Sequence, residues 1–246
     1  MNNFTVKKAL ILGDGLLAKE LVKQSGFDSI SRKADGFDIT NKDTYYLMTE
    51  IFDGVAQAMM YDCVINAIGC TDTYSTEKQP HWDVNYKGVS DLVDFCNNWK
   101  IKLVHISTDY IYANSKSNAT ETDVPVHCNN WYGYTKLLGD AHVQLQCNKH
   151  LILRCTHKPR PFPYNKAWTD QLGNFDYVDV ISGKILDLIE KDAEGIYNVG
   201  SDPKTIYEMA KESRQDVSPA ISKWAPEEIP SDITMDISKL KKKENE

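Results

Sequence analysis

No apolar run in this chain approaches the roughly 20 residues that a membrane-spanning helix needs. Nothing behind Met-Asn-Asn has the charged-then-apolar layout of a secretory signal. Both absences predict a cytoplasmic protein with no membrane partner. Basic charge is also short: Lys and Arg number 28 against 35 Asp and Glu, a net charge of −7. That balance argues against general nucleic-acid binding, which needs a basic surface. Six cysteines (Cys63, Cys70, Cys96, Cys128, Cys147 and Cys155) contain no C-x-x-C pair. Several sit in apolar patterns and read as buried free thiols of a reducing compartment. With no metal-ligand spacing among Cys and His, no metal site is predicted. Internal repeats and low-complexity linkers are missing too, so the chain reads as a unit without a long hinge.

What is present alternates. Short apolar runs at 6–12, 27–31, 62–67, 101–107, 150–155 and 195–199 read as buried strands, with helical patterns between them. That order implies an α/β fold, a doubly wound parallel sheet covered on both faces. Over 84–99, Val84, Gly88, Val89, Leu92, Cys96 and Trp99 fall at helical spacing and read as core. Residues 156–176 are rich in proline and aromatics and read as loop. The division expected is a Rossmann-type core over 1–155, then 156–246 completing that core and adding a small, reduced C-terminal substrate lobe.

Two clusters carry chemistry. The first strand runs into Gly13-Asp-Gly15-Leu16-Leu17-Ala18 and then a helical stretch. In such a turn the first glycine permits the tight bend and the second lets backbone approach a pyrophosphate. Free N–H groups at the helix start face the phosphates. The second cluster is Tyr132-Gly-Tyr134-Thr-Lys136, preceded by Ser107-Thr108-Asp109. On a helix Tyr132 and Lys136 stack one turn apart on one face. An ammonium beside a phenol favours the phenolate and brings its pKa of about 10 toward working pH. A hydroxyl from Thr108 would hold the same substrate oxygen. Such a set polarises a carbonyl or alcohol while a hydride is supplied or removed.

The joint pattern resembles the extended short-chain dehydrogenase/reductases, and most closely the dTDP-4-dehydrorhamnose reductases and related nucleotide-sugar ketoreductases. The matching pieces include LILGDGLLAKEL at 10–21, DCVINAIGCTD at 62–72, LVHISTDYIY at 103–112, WYGYTKLLGD at 131–140 and GIYNVGS at 195–201, in the expected order. The resemblance implies an NAD(P)-dependent oxidoreductase, with Thr108, Tyr132 and Lys136 catalytic and a nucleotide sugar as substrate. It implies reduction of a 4-keto group to a deoxysugar for surface glycans. Tyr132 and Lys136 would also touch the cofactor. Asp38 and Ile39 would flank its adenine, and Asn66 and Ala67 its central ribose and phosphates. A homodimer remains open.

Arg32 and Lys33 stand where an NAD site would place an acidic residue about 20 residues beyond the glycines. They suit the 2′-phosphate of NADPH, while Asp35 leaves NADH open. Related dehydratases follow the active-site Thr with Asp-Glu, whereas here Asp109 is followed by Tyr110, so the water-eliminating set is incomplete. A C4-epimerase or another dehydrogenase of the superfamily is the alternative enzyme. A non-catalytic dinucleotide-binding regulatory subunit is the alternative of another class. The stretch between Arg154 and Asp176 is shorter than in similar enzymes. Within it Lys158 and Arg160 are candidates for the substrate's diphosphate, with Phe162 and Tyr164 for its base. Asp109 is a further candidate substrate contact. The family's Arg-Pro near the C-terminus appears here as Ile229-Pro230.

Overall fold

A computed structural model describes residues 8–54, 61–73, 75, 77–113, 115–123, 130–225 and 229–246. In chain order the first half runs β1 (Ala9–Leu12), α1 (Leu16–Ser25), β2 (Asp28–Ile30), α2 (Arg32–Asp35), α3 (Tyr46–Gly54) and β3 (Cys63–Asn66). It continues through α4 (Lys78–Trp82), α5 (Gly88–Trp99), β4 (Lys102–Ser107), α6 (Trp131–Gln146) and β5 (His150–Cys155). The second half holds β6 (His157–Lys158), β7 (Lys166–Trp168), β8 (Leu172–Gly173), β9 (Asp176–Tyr177), α7 (Val178–Glu190) and β10 (Gly195–Val199). Last come β11 (Lys204–Thr205), α8 (Ile206–Ser213), β12 (Ser218–Ala220), β13 (Asp232–Ile233) and α9 (Ser238–Glu244).

Six strands form one parallel sheet in the order β10-β5-β4-β3-β1-β2. The inner strands are largely apolar and buried, as suits strands covered on both faces: all of Ala9–Leu12 and Cys63–Asn66 is buried. Chain direction across the sheet reverses between β1 and β3, where the strand ends leave a crevice. One face is packed by α1 and α7, with Leu17, Leu21, Ile181, Ile185 and Leu188 buried against the strands. The other face carries α3 and α5, with Met48, Phe52, Val89, Leu92 and Phe95. This is a Rossmann-type architecture, the doubly wound sheet expected from the strand–helix alternation.

The helix expected at 84–99 arrives in two parts. A π-helical turn over Asp83–Lys87 joins α4 to α5. Local widening of this kind re-aims side chains. Here it brings the Asn85 carbonyl against α6, where a Cβ on Gly139 would lie 2.4 Å from that oxygen. Only a glycine lets α6 come this close.

Residues 156–176 are not simple loop. They carry β6, β7 and β8, and each pairs with a segment further along the chain: β6 with β9, β7 with β12, and β8 with both β11 and β13. Together with α8 these strands enclose a separate apolar cluster of Phe162, Ala167, Phe175, Tyr177, Ile206 and Met209. A capping box between Thr205 and Glu208 starts α8. The five described cysteines are free, and all but Cys70 are buried; Cys128 lies outside the described residues. Among the described residues no helix is long and apolar enough to cross a membrane.

Candidate active site

All the chemistry-bearing turns leave the carboxyl ends of β1, β3, β4 and β5. Register explains why they meet: Leu12 pairs with Asn66, Asn66 with His105, and Ser107 with Arg154. Beyond these ends lies a cavity of about 780 Å³. Its wall includes Gly15, Leu16 and Leu17 from the start of α1, Ala67 after β3, Thr108 after β4, and Tyr132 and Lys136 from α6. Lys158, Phe162, Tyr164, Lys166 and Trp168 close it on the side of the small lobe.

The glycine turn leaves the start of α1 uncovered. Gly13 has φ +113, in the left-handed region that disfavours side chains, and its Cβ would meet Ile68 at 3.2 Å. Gly15 caps α1 without a side chain, and nothing lies within 4 Å of where its Cβ would be. The start of α1, with the free N–H groups that any helix N-terminus carries, therefore borders the cavity.

Asn130 caps α6 by accepting from the Gly133 N–H at 3.0 Å, which presents Tyr132 in the first turn. The ring of Tyr132 is held edge-on by Tyr110, with centroids 5.9 Å apart, and by His81 at 6.2 Å. Thr108 caps the turn after β4, and its hydroxyl hydrogen-bonds the Tyr132 phenol. Burial raises the Tyr132 pKa, outweighing that bond. The ammonium was expected to depress the phenol, but in the free protein the phenol stands above its ordinary value. Lys136 is instead turned to the Ile106 carbonyl, donating at 2.6 Å. Burial lowers its pKa to about 8, opposed by Asp140.

Beneath this trio lies a buried polar network absent from the sequence reading. Asp140 Oδ2 accepts from Arg154 Nε at 3.1 Å, and Arg154 Nη1 donates to Tyr112 at 2.7 Å. Two signals were available: a charged residue inside the apolar run LILRC, and an aspartate one helical turn beyond Lys136. His157 was likewise missed; it lines the cavity directly after β5.

Other expected residues stand as follows. Asn66 is buried, accepting from the Ile68 N–H at 3.1 Å and bonded to His105 at 3.3 Å, so it shapes the turn that carries Ala67. Ile39 is buried, and its carbonyl abuts Gly88. Arg32 and Lys33 open the short helix α2 after β2 and do not line the cavity. The Arg32 side chain is 80% exposed and reaches Asp38 at 3.5 Å. Asp35 accepts from the Ser31 N–H at 2.8 Å. Asp109 is wholly buried; burial raises its pKa to about 7. Arg160 does not line the cavity: it pairs with Asp179 at 3.1 Å and lies 4.0 Å over the Tyr177 ring.

The family model for the RmlD substrate binding domain matches residues 7–157. The dTDP-4-dehydrorhamnose reductase of Aggregatibacter actinomycetemcomitans is 26% identical over 193 residues, covering 71% of this chain and 63% of that protein. The enzyme of the same name from Escherichia coli strain K12 is 32% identical over 108 residues, covering 42% of this chain and 36% of that one. The chain thus matches less than two thirds of the length of these curated relatives. In three dimensions, dTDP-4-dehydrorhamnose reductase from Bacillus anthracis in complex with NADP superposes with a TM-score of 0.80 at 22% identity. That match covers 95% of this chain and 92% of the other, and at such identity it speaks for the fold. With more than half its length matched by the family model, the chain belongs to the RmlD substrate binding domain family.

Proposed function

We propose that this protein uses NADPH to reduce the 4-keto group of a nucleotide sugar, as its dTDP-4-dehydrorhamnose reductase relatives are named for doing. One observation carries the reading: Thr108, Tyr132 and Lys136 stand in the wall of the same cavity as the glycine turn. Residues 1–155 then act as the dinucleotide-binding core, and the lobe within 156–246 as the substrate side.

The open space at Gly15 and the start of α1 fit a dinucleotide pyrophosphate, and Arg32 and Lys33, at the start of α2 after β2, suit a 2′-phosphate. When bound, NADPH supplies the hydride for the carbonyl carbon. Tyr132 supports the opposite half of the reaction. Its raised pKa keeps the phenol protonated, so it has a proton to give the oxygen as charge develops there. Thr108, already bonded to that phenol, holds the same oxygen in place. Lys136, anchored on Ile106 in the same cavity wall, is charged below about pH 8 and offers a donor to the ribose. Phe162, Tyr164 and Trp168 offer an apolar slot for the base, and Lys166 a cation for its diphosphate.

The test is mass spectrometry of what co-purifies, followed by turnover against a panel of 4-keto nucleotide sugars. Stoichiometric NADPH oxidation with product is expected. Firmly retained NAD with no net oxidation would replace this reading with C4-epimerisation. Dinucleotide binding with neither reaction would make the chain a regulatory subunit.

A further inference from the structure

Thr108 has one hydroxyl hydrogen to give and two lone pairs to receive with. The Tyr110 N–H donates to its Oγ1 at 3.2 Å, and Asp109 Oδ1 lies 3.3 Å from the same oxygen. An ionised Asp109 can only accept, so it draws the single hydrogen of Thr108 to itself. A ketone oxygen also only accepts. Thr108 could then not hold the substrate oxygen, which is the task the reductase reading gives it. A protonated Asp109 reverses the bond. Its O–H fills the second lone pair of Thr108, and the threonine hydrogen is released toward Tyr132 and the cavity that Thr108 lines.

The surroundings of Asp109 favour that proton. The side chain is fully buried and does not line the cavity, so it is not the substrate contact expected from the sequence. Among the described residues its Oδ2 has no hydrogen-bond partner, which makes a charge there costly. Three titratable groups face it: Lys158 on β6, Tyr132 on α6 and Cys155 at the end of β5. Burial pushes the phenol up and the thiol up to about 12, so both are neutral near pH 7. Lys158, the Thr108 hydroxyl and the neighbouring backbone N–H groups favour the ionised form of Asp109. Burial outweighs them and raises its pKa to about 7.

We propose that Asp109 is a positioning residue: in the active enzyme it carries a proton, donates to Thr108 and so aims the Thr108 hydrogen at the carbonyl oxygen of the substrate. The inference rests on the reductase reading above and adds to its machinery a residue that acts through Thr108 and not on the substrate itself.

Difference infrared spectra of the full chain, wild type minus Asp109→Asn, read the carboxyl without any ligand. At about pH 5, where an ordinary aspartate is ionised, they should show the C=O stretch of a protonated carboxyl. That band should fade as pH rises through about 7. Thr108→Val removes the acceptor at nearly constant shape and should shift it. A missing band, or one that Thr108→Val leaves in place, overturns the proposal whether or not a ketosugar turns over. Kinetics with a ketosugar that turns over reads the consequence. Asp109→Ala should lower kcat by about tenfold, the scale of one hydrogen bond, with KM for NADPH unchanged. Asp109→Asn, whose amide N–H can donate in place of the acid, should keep most of kcat. In a Thr108→Val background Asp109→Ala should cost nothing further, because the hydroxyl it acts through is gone. Equal losses in Asp109→Ala and Asp109→Asn, or a full loss on top of Thr108→Val, would also overturn the proposal. A band that shifts as expected, with no ketosugar reduced, would sink the reductase reading alone.

Discussion

Asp140 lies one helical turn beyond Lys136 on α6, fully buried, and its carboxylate opposes the burial that pulls the lysine toward neutrality. Arg154, also fully buried, holds that carboxylate at 3.1 Å. Of the candidate trio, the carboxylate bears on Lys136, where it raises the pKa against burial. Lys136 is charged below about pH 8 and loses its proton above it, so kcat/KM should fall on the alkaline side of pH 8. Asp140→Asn removes the influence that raises the lysine pKa and should move that limb to lower pH. Removing one member of a buried pair should also cost about 3–5 kcal/mol of stability, read by urea unfolding. An alkaline limb at the same pH in both proteins would separate Asp140 from Lys136.

Tyr132→Phe should lower turnover by roughly 10²-fold or more while the affinity for NADPH stays near wild type, because only the proton donor is lost. Lys136→Ala should lose turnover and cofactor affinity together. Steady-state kinetics with a confirmed ketosugar, paired with cofactor titration, reads both. Near-wild-type turnover in Tyr132→Phe would remove the phenol from the mechanism.

Asp109 should cost stability as pH rises. Its folded pKa is raised to about 7, above the ordinary carboxylate value, so between about pH 4 and 7 the folded state holds a proton that the unfolded state releases. Stability then falls through that window and levels off above it. Asp109→Asn keeps the shape without the titration. Its Tm should match or exceed wild type at pH 8 and lose that advantage toward pH 5, with each kcal/mol worth about 2–4 °C. A constant Tm difference across pH would contradict the assignment.

Arg32→Ala combined with Lys33→Ala should raise KM for NADPH by more than about tenfold and change KM for NADH much less, since only NADPH carries the 2′-phosphate. Added salt should weaken NADPH binding more as well, because Arg32 is exposed. Equal losses for both cofactors would show that these side chains serve solvent and Asp38 alone.

Gly139→Ala tests the seat of α6. The new methyl would lie 2.4 Å from the Asn85 carbonyl, so the helix must move off the π-helical turn. A stability loss of about 1–3 kcal/mol is expected, together with a fall in turnover as Tyr132 and Lys136 shift with α6. Chemical denaturation and kinetics on the same preparation would read the two effects. Unchanged stability would mean that the helices accommodate the methyl elsewhere.

Periodicity and composition suffice for the sheet. The runs at 150–155 and 195–199 coincide with β5 and β10, and the others lie within a few residues of their strands. Buried parallel strands are continuous apolar runs, and such runs are local features of sequence. The glycine turn and the Tyr132–Lys136 spacing are local as well, because one bend and one helical turn define them. The small lobe was expected, but its strands at 156–176 escaped a local reading because β6, β7 and β8 are two or three residues long, and their partners lie further along the chain. No periodicity develops over so short a run. Only tertiary packing decided which cations remain available. Arg160 and Lys158 stand two residues apart in the chain, but Asp179 and the Tyr177 ring take up the first. The second lines the cavity, because β6 carries it there in pairing with β9 further along the chain.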